Sequence, residues 1–182
     1  MDIEEKAIKD YLDAVDTVLN SNTFIFEFTI AGDFEESLYT YLKSESFINQ
    51  LFDEDTSRGW FNLDYHKNRK SILNKNFVLE VTECDNGTEY LISFLTAENF
   101  YSFYNKQLSY EKAKSIVLNF TGFLTGVEYS AWKLYKIKPN FLKSDKEAKK
   151  AEASYFENFG NDAATVLAFE NKGYLLLTNG MD

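Results

Sequence analysis

Helical and strand-like apolar patterns alternate along the whole chain, and no Pro- or Gly-rich segment separates them. Residues 3–19 repeat apolar side chains about every 3.6 positions, which predicts an amphipathic helix. Residues 23–30 then alternate apolar and polar side chains, which predicts a strand with Phe24, Phe26 and Phe28 on one face. Because such elements follow one another over all 182 residues, we expect a single α+β domain covering 1–182.

Further helical and strand patterns fill the rest of the chain. Helices are expected after Asp33, after Ser44, and over residues 97–107, 109–124 and 144–159, the last beginning at a Ser144 cap. Residues 60–66 alternate as in a strand, and residues 128–137 are interpreted as a strand, with a helix as the alternative.

Two hairpins are predicted. In the first, over 77–95, Asn86-Gly87 suits a type I′ turn and pairs Val81 with Ile92. The second joins 165–170 to 174–178 through a turn at 171–173. We therefore expect an antiparallel sheet built from hairpins, with helices packed mainly on one face.

The acidic charge is concentrated at one end of the chain. Residues 1–55 contain fourteen acidic residues and three lysines, a net charge of −11, whereas residues 56–182 are nearly neutral at +1, so the whole chain carries −10. Such a one-sided negative field attracts basic proteins and repels nucleic acid and anionic membranes. We expect a basic partner, with no direct binding of double-stranded DNA and no membrane association.

The expected partner-binding residues are acidic, with two nearby aromatics. Three aspartates recur every third residue on the first helix, where like charges at this spacing repel. Solubility and the helix dipole explain the acids of the second helix, but they explain this aspartate row less well. The alternative is a surface that imitates the phosphates of nucleic acid. The expected set is Asp10, Asp13, Asp16, Glu35, Glu36, Asp53, Glu54, Asp55, Tyr101 and Tyr104.

The motifs of well-marked enzymes are absent. The eight glycines form no phosphate-binding loop, and one histidine with one cysteine does not make a zinc site of the usual kind. Residues 53–64 resemble a calcium loop, but Arg58 replaces the required glycine and Asp64 the final glutamate. We expect neither a metal nor a cofactor.

One group of residues supports an enzymatic alternative. His66 follows Asp64 by two positions, so both lie on one face of the predicted strand, and Lys70 lies in a basic stretch just beyond. A histidine oriented by a carboxylate beside a cation suits acid–base cleavage of a phosphodiester. A solvated strand edge with ordinary lysines is the simpler interpretation, and we favour it.

The remaining features bear on compartment and source. Cys84 is the single cysteine, the amino terminus lacks a signal-peptide pattern, and no apolar run reaches the roughly 20 residues of a spanning helix, so a cytoplasmic protein is expected. The excess of lysine over arginine, 17 to two, fits the codons of a low-GC bacterium or its phage.

In size, acidity and lack of motifs the chain resembles bacterial immunity proteins against nuclease toxins and phage anti-CRISPR proteins. The resemblance lies in composition, and no residue is carried over from either group. It implies a cytosolic inhibitor of a basic, nucleic-acid-handling protein, which is the function we expect. The alternatives are an RNA- or phosphodiester-cleaving enzyme, a combination in which the acidic part docks on a protein and the basic His66 region acts on its bound nucleic acid, and a structural or regulatory subunit of a cytosolic complex.

Overall fold

The structure is a computed structural model that describes residues 3–58, 72–102, 105–126, 131–143 and 161–180. These described segments contain five helices and five strands. In chain order the elements are α1 (Ile3–Leu19), β1 (Ser21–Thr29), α2 (Phe34–Leu42), α3 (Glu45–Arg58), β2 (Val81–Glu83), α4 (Gly87–Thr96), α5 (Tyr110–Thr125), β3 (Lys133–Ile137), β4 (Ala163–Phe169) and β5 (Lys172–Gly180).

The five strands form one antiparallel sheet in the order β1-β5-β4-β3-β2. Only β4 and β5, among the described strands, are consecutive in the chain and joined by a tight turn. The first strand of the sequence, β1, pairs along its whole length with the last, from Ser21 opposite Gly180 to Thr29 opposite Lys172. The α+β class and the antiparallel sheet are thus confirmed.

Helices cover both faces of the sheet. Apolar residues of α1, α4 and α5 form one core with one face, and those of α2 and α3 form a second core with the other. The expectation that helices pack mainly on one face is wrong. The strand β5 shows this most clearly. It is buried at every position from Gly173 to Gly180, so its side chains are covered on both faces of the sheet.

Most of the predicted elements are confirmed. The predicted helix over 3–19 is α1, the two that follow β1 are α2 and α3, and the one expected over 109–124 is α5. The strand over 23–30 is β1, and the described part of the one over 128–137 contains β3. The apolar periodicity identified these elements because each buries one face.

The hairpin over 77–95 is wrong. Asn86 does not form a turn between two strands; it caps α4, and its Oδ1 accepts a hydrogen bond from the backbone N–H of Glu89 at 3.2 Å. Its φ of −135° is extended rather than positive. Val81 pairs with Ile137 of β3 instead of Ile92. Leu91, Ile92, Ser93, Phe94 and Leu95 are all buried, so the apparent alternation belongs to a helix that is covered on most sides.

Two other predictions need correction. No α-helix forms over the described part of 97–107, where Asn105 has 3₁₀ geometry, because Ala97 adopts a left-handed φ of 54° and ends α4. Phe100 then stacks on Phe94, with 4.2 Å between ring centroids. The second hairpin is present, but its two-residue connection is Glu170-Asn171, since Phe169 pairs with Lys172.

The predicted strand over 60–66 and the predicted helix over 144–159 lie outside the described residues. Within the described segments, no helix is both long enough and apolar enough to cross a membrane.

Candidate functional site

The aspartate row of α1 lies on its outer face. Burial of the opposite side, including Tyr11 and Val15, turns Asp10 and Asp13 outward, and each of these side chains is 52% exposed. Both are ion-paired with a lysine one turn earlier, Asp10 with Lys6 and Asp13 with Lys9. These lysines offset the repulsion expected within the row.

Asp16 differs from the other two aspartates. It is only partly exposed, and its Oδ1 accepts a hydrogen bond from the Ser21 hydroxyl at 3.1 Å. This contact joins the end of α1 to the start of β1. The row is therefore two surface ion pairs followed by a structural aspartate.

The acids of α2 and α3 are exposed on the other side of the sheet. Asp33 caps α2 by accepting a hydrogen bond from the Glu36 N–H at 2.8 Å, so Glu35 and Glu36 fall in the exposed first turn. Asp53 and Glu54 are exposed on α3. Asp55 belongs to α3, but its side chain is outside the described residues.

The predicted acidic set is therefore divided between two layers. Where side chains are described, α1 carries four acidic residues and two lysines, a net charge of −2. Residues 34–54 carry five acidic residues and one lysine, a net charge of −4. We call the exposed side of α2 and α3 the α2–α3 face. It is the more strongly acidic of the two.

Of the two predicted aromatic contacts, only Tyr101 is described. Its side chain is 78% exposed, while its backbone is held by the buried Asn161 side chain, which bonds both its N–H and its carbonyl. Tyr104 lies outside the described residues, as do Asp64, His66 and Lys70 of the enzymatic alternative.

Sequence reasoning missed a cleft between β2 and α4. Its volume is about 440 Å³, within the size range of ligand sites. It is lined by Thr82, Glu83, Cys84, Asp85, Asn86, Glu89, Tyr90, Ser93, Glu98, Asn99 and Lys136.

Four acidic residues and one lysine line this β2–α4 cleft; the Glu83 carboxylate is ion-paired with Lys133 at 3.0 Å. The Lys136 ammonium, contributed by β3, lies 5.2 Å from the centroid of the Tyr90 ring, a cation–π arrangement. A signal for the cleft was present in the sequence, because five acidic residues and no basic one lie between Lys75 and Lys106. The near-neutral total of residues 56–182 concealed it.

Neither Cys84 nor Tyr90 of the cleft is activated as a nucleophile. Burial raises the pKa of the Cys84 thiol, although nearby Lys136 opposes the shift, and burial raises the pKa of Tyr90 to about 12. Both groups therefore keep their protons at neutral pH, whereas nucleophilic catalysis needs a depressed pKa or an adjacent base. In the described part of the chain, no three His, Cys, Asp or Glu side chains converge as metal ligands would. The cleft is suited to holding a cationic group.

The chain matches no protein-family model, no curated protein and no solved structure.

Proposed function

We propose that this protein is a non-catalytic inhibitor that binds a basic, nucleic-acid-handling protein, in the manner of nuclease-toxin immunity or anti-CRISPR proteins. The observation that carries the proposal is the α2–α3 face, where residues 34–54 hold five acidic residues against one lysine. A basic cleft that normally receives nucleic acid is the complementary surface.

The α2–α3 face suits this role better than the outer face of α1. On α1, Asp10 and Asp13 are already ion-paired with lysines of the same helix, which reduces the field they project. On α2, the exposed Glu35 and Glu36 stand in the first turn, ahead of the half-exposed Tyr39 ring.

Charge and aromatic contact contribute differently to such binding. Long-range attraction steers the partner and raises the association rate in a salt-dependent way. An exposed tyrosine adds contact area that slows dissociation, and tyrosine is enriched among residues that dominate interface energies. Lys43 Nζ lies 4.0 Å from the centroid of the Tyr39 ring, which restrains the tyrosine before a partner arrives.

The first experiment captures the partner with tagged protein from lysates of low-GC bacteria, at low and at high salt. A basic nuclease or nucleic-acid-binding protein recovered mainly at low salt supports the proposal. The purified partner is then assayed for nucleic-acid cleavage with and without this protein. A partner whose activity is unchanged by saturating inhibitor contradicts the proposed function.

Charge reversal then tests the surface. The variant Glu35→Lys/Glu36→Lys and the control Asp10→Lys/Asp13→Lys change the net charge equally, on opposite sides of the sheet. We expect the first to slow association by about tenfold and the second to have a much smaller effect. Equal slowing by both would mean that total charge acts, and the α2–α3 face would be rejected.

A further inference from the structure

The outer edge of β2 is unpaired in the described part of the chain. β2 is the last strand of the sheet, and no described residue pairs with its outer side. Thr82 and Glu83 are both exposed. An open strand edge presents unpaired N–H and C=O groups that accept another strand.

The pairing with β3 determines which backbone groups face outward. The Lys138 N–H donates to the Glu80 carbonyl at 3.1 Å, and the Cys84 N–H donates to the Leu134 carbonyl at 2.8 Å. Since hydrogen-bonding direction alternates along an antiparallel strand, the N–H and C=O groups of Val81 and Glu83 point away from β3. Within the described residues, these groups form the unpaired edge of the sheet.

The β2–α4 cleft runs along this edge. Three consecutive residues, Thr82, Glu83 and Cys84, all line it although their side chains alternate between the two faces. Glu89 and Tyr90 of α4 line it opposite the strand. A chain added beside β2 would direct every second side chain into the cleft.

We propose that the β2 edge and its cleft receive an extended, lysine- or arginine-bearing segment of a partner protein by strand addition. Backbone pairing with Val81 and Glu83 supplies the register. The cleft carboxylates Asp85, Glu89 and Glu98 select positively charged side chains. The Lys136–Tyr90 contact is an internal example of a cation held against this ring.

This inference is independent of the proposed function. The β2 edge does not involve residues 34–54, and a basic segment would bind there whatever the partner does with nucleic acid. Inhibition without peptide binding, or peptide binding without inhibition, distinguishes the two proposals.

The test begins with a phage-displayed library of random linear peptides, selected on the full-length protein. We expect the enriched peptides to be basic. Their affinity for Glu83→Pro should be lower by about tenfold or more, because proline removes an outward N–H and fills the edge. Glu83→Ala is the matched control: it loses the same carboxylate, keeps the N–H and should retain binding.

Two further measurements keep the proposal testable if Glu83→Pro is unstable. An enriched peptide is synthesised in two forms, each N-methylated at every second amide. In an added strand, alternate amides point toward β2, so methylation of that set should abolish binding, whereas methylation of the other set should be tolerated. Glu98→Lys, on the loop after α4, should weaken basic peptides by about threefold or more. The proposal is overturned if no peptide is enriched, if the enriched peptides are acidic or uncharged, or if both methylated forms bind.

Discussion

The buried side chain of Asn161 holds the backbone of Tyr101 from both sides. Asn161 Oδ1 accepts a hydrogen bond from the Tyr101 N–H at 2.9 Å, and Nδ2 donates to the Tyr101 carbonyl at 3.0 Å. The same amide donates to the Leu19 carbonyl at 3.0 Å. One side chain thus ties the loop after α4 to the end of α1, and it fixes the position from which the exposed Tyr101 ring projects.

Asn161→Ala should lower the free energy of unfolding by about 2–4 kcal/mol, since it leaves backbone groups of Leu19 and Tyr101 without their partner. Chemical denaturation followed by circular dichroism measures the change. Asn99→Ala removes an exposed asparagine of the same loop and should change stability by no more than about 0.5 kcal/mol. If Asn161→Ala lowered the free energy of unfolding as little as Asn99→Ala, the Asn161 hydrogen bonds would contribute nothing to stability.

The same substitution at two glycines should have opposite effects. A Cβ at Gly173 of β5 would approach the Phe28 ring to 2.3 Å, whereas a Cβ at Gly122 of α5 would meet nothing within 4 Å. Gly173→Ala should destabilise by about 1–3 kcal/mol through overpacking. Gly122→Ala should stabilise by about 0.5–1 kcal/mol, because glycine is poorly suited to a helix interior. Thermal melts of both variants show whether each substitution raises or lowers stability. A Gly173→Ala protein as stable as the unsubstituted protein would contradict the packing of β5 against Phe28.

Substitutions at Asn86 distinguish a helix cap from a hairpin turn. Asn86→Ala should cost about 1 kcal/mol, while Asn86→Ser should be nearly neutral because serine is an equally good N-cap. A type I′ turn requires positive φ and would be damaged by both. Urea denaturation of the two variants decides, and equal damage would argue against α4 beginning at Gly87.

Tyr90 should make the protein less stable in alkali. Burial, with the neighbouring Cys84, raises its pKa to about 12. Between pH 10 and about 12 the unfolded chain has lost a proton that the folded state retains, so stability is fully present below pH 10 and falls as the pH rises through this window. The contribution is about 1.4 kcal/mol per pH unit.

Denaturation at several alkaline pH values measures this slope. Tyr90→Phe should reduce it. An unchanged slope in Tyr90→Phe would show that the pKa of the Tyr90 hydroxyl is not higher in the folded protein than in the unfolded chain.

Elements that bury one regular face could be predicted from the sequence alone. In α1 the period of the apolar residues, from Ala7 to Leu19, matches the burial, and in β1 the alternation of Phe24, Phe26 and Phe28 does the same. Such patterns reflect the local geometry of helix and strand, so they do not depend on the partner element. The mixed α+β class and the one-sided acidic charge were available at this level.

Only the tertiary structure determined which elements meet. Asn86-Gly87 suits a hairpin turn or a helix start equally well. Because Val81 of β2 pairs with the distant Ile137 of β3, β2 does not form a hairpin with the residues after Gly87, and these residues form α4. Likewise, the acids of residues 1–55 are adjacent in sequence but divided between opposite sides of the sheet, because α1 belongs to one core and α2 and α3 to the other. The β2–α4 cleft arises in the same way, from strands and helices brought together by long-range contacts that no local period encodes.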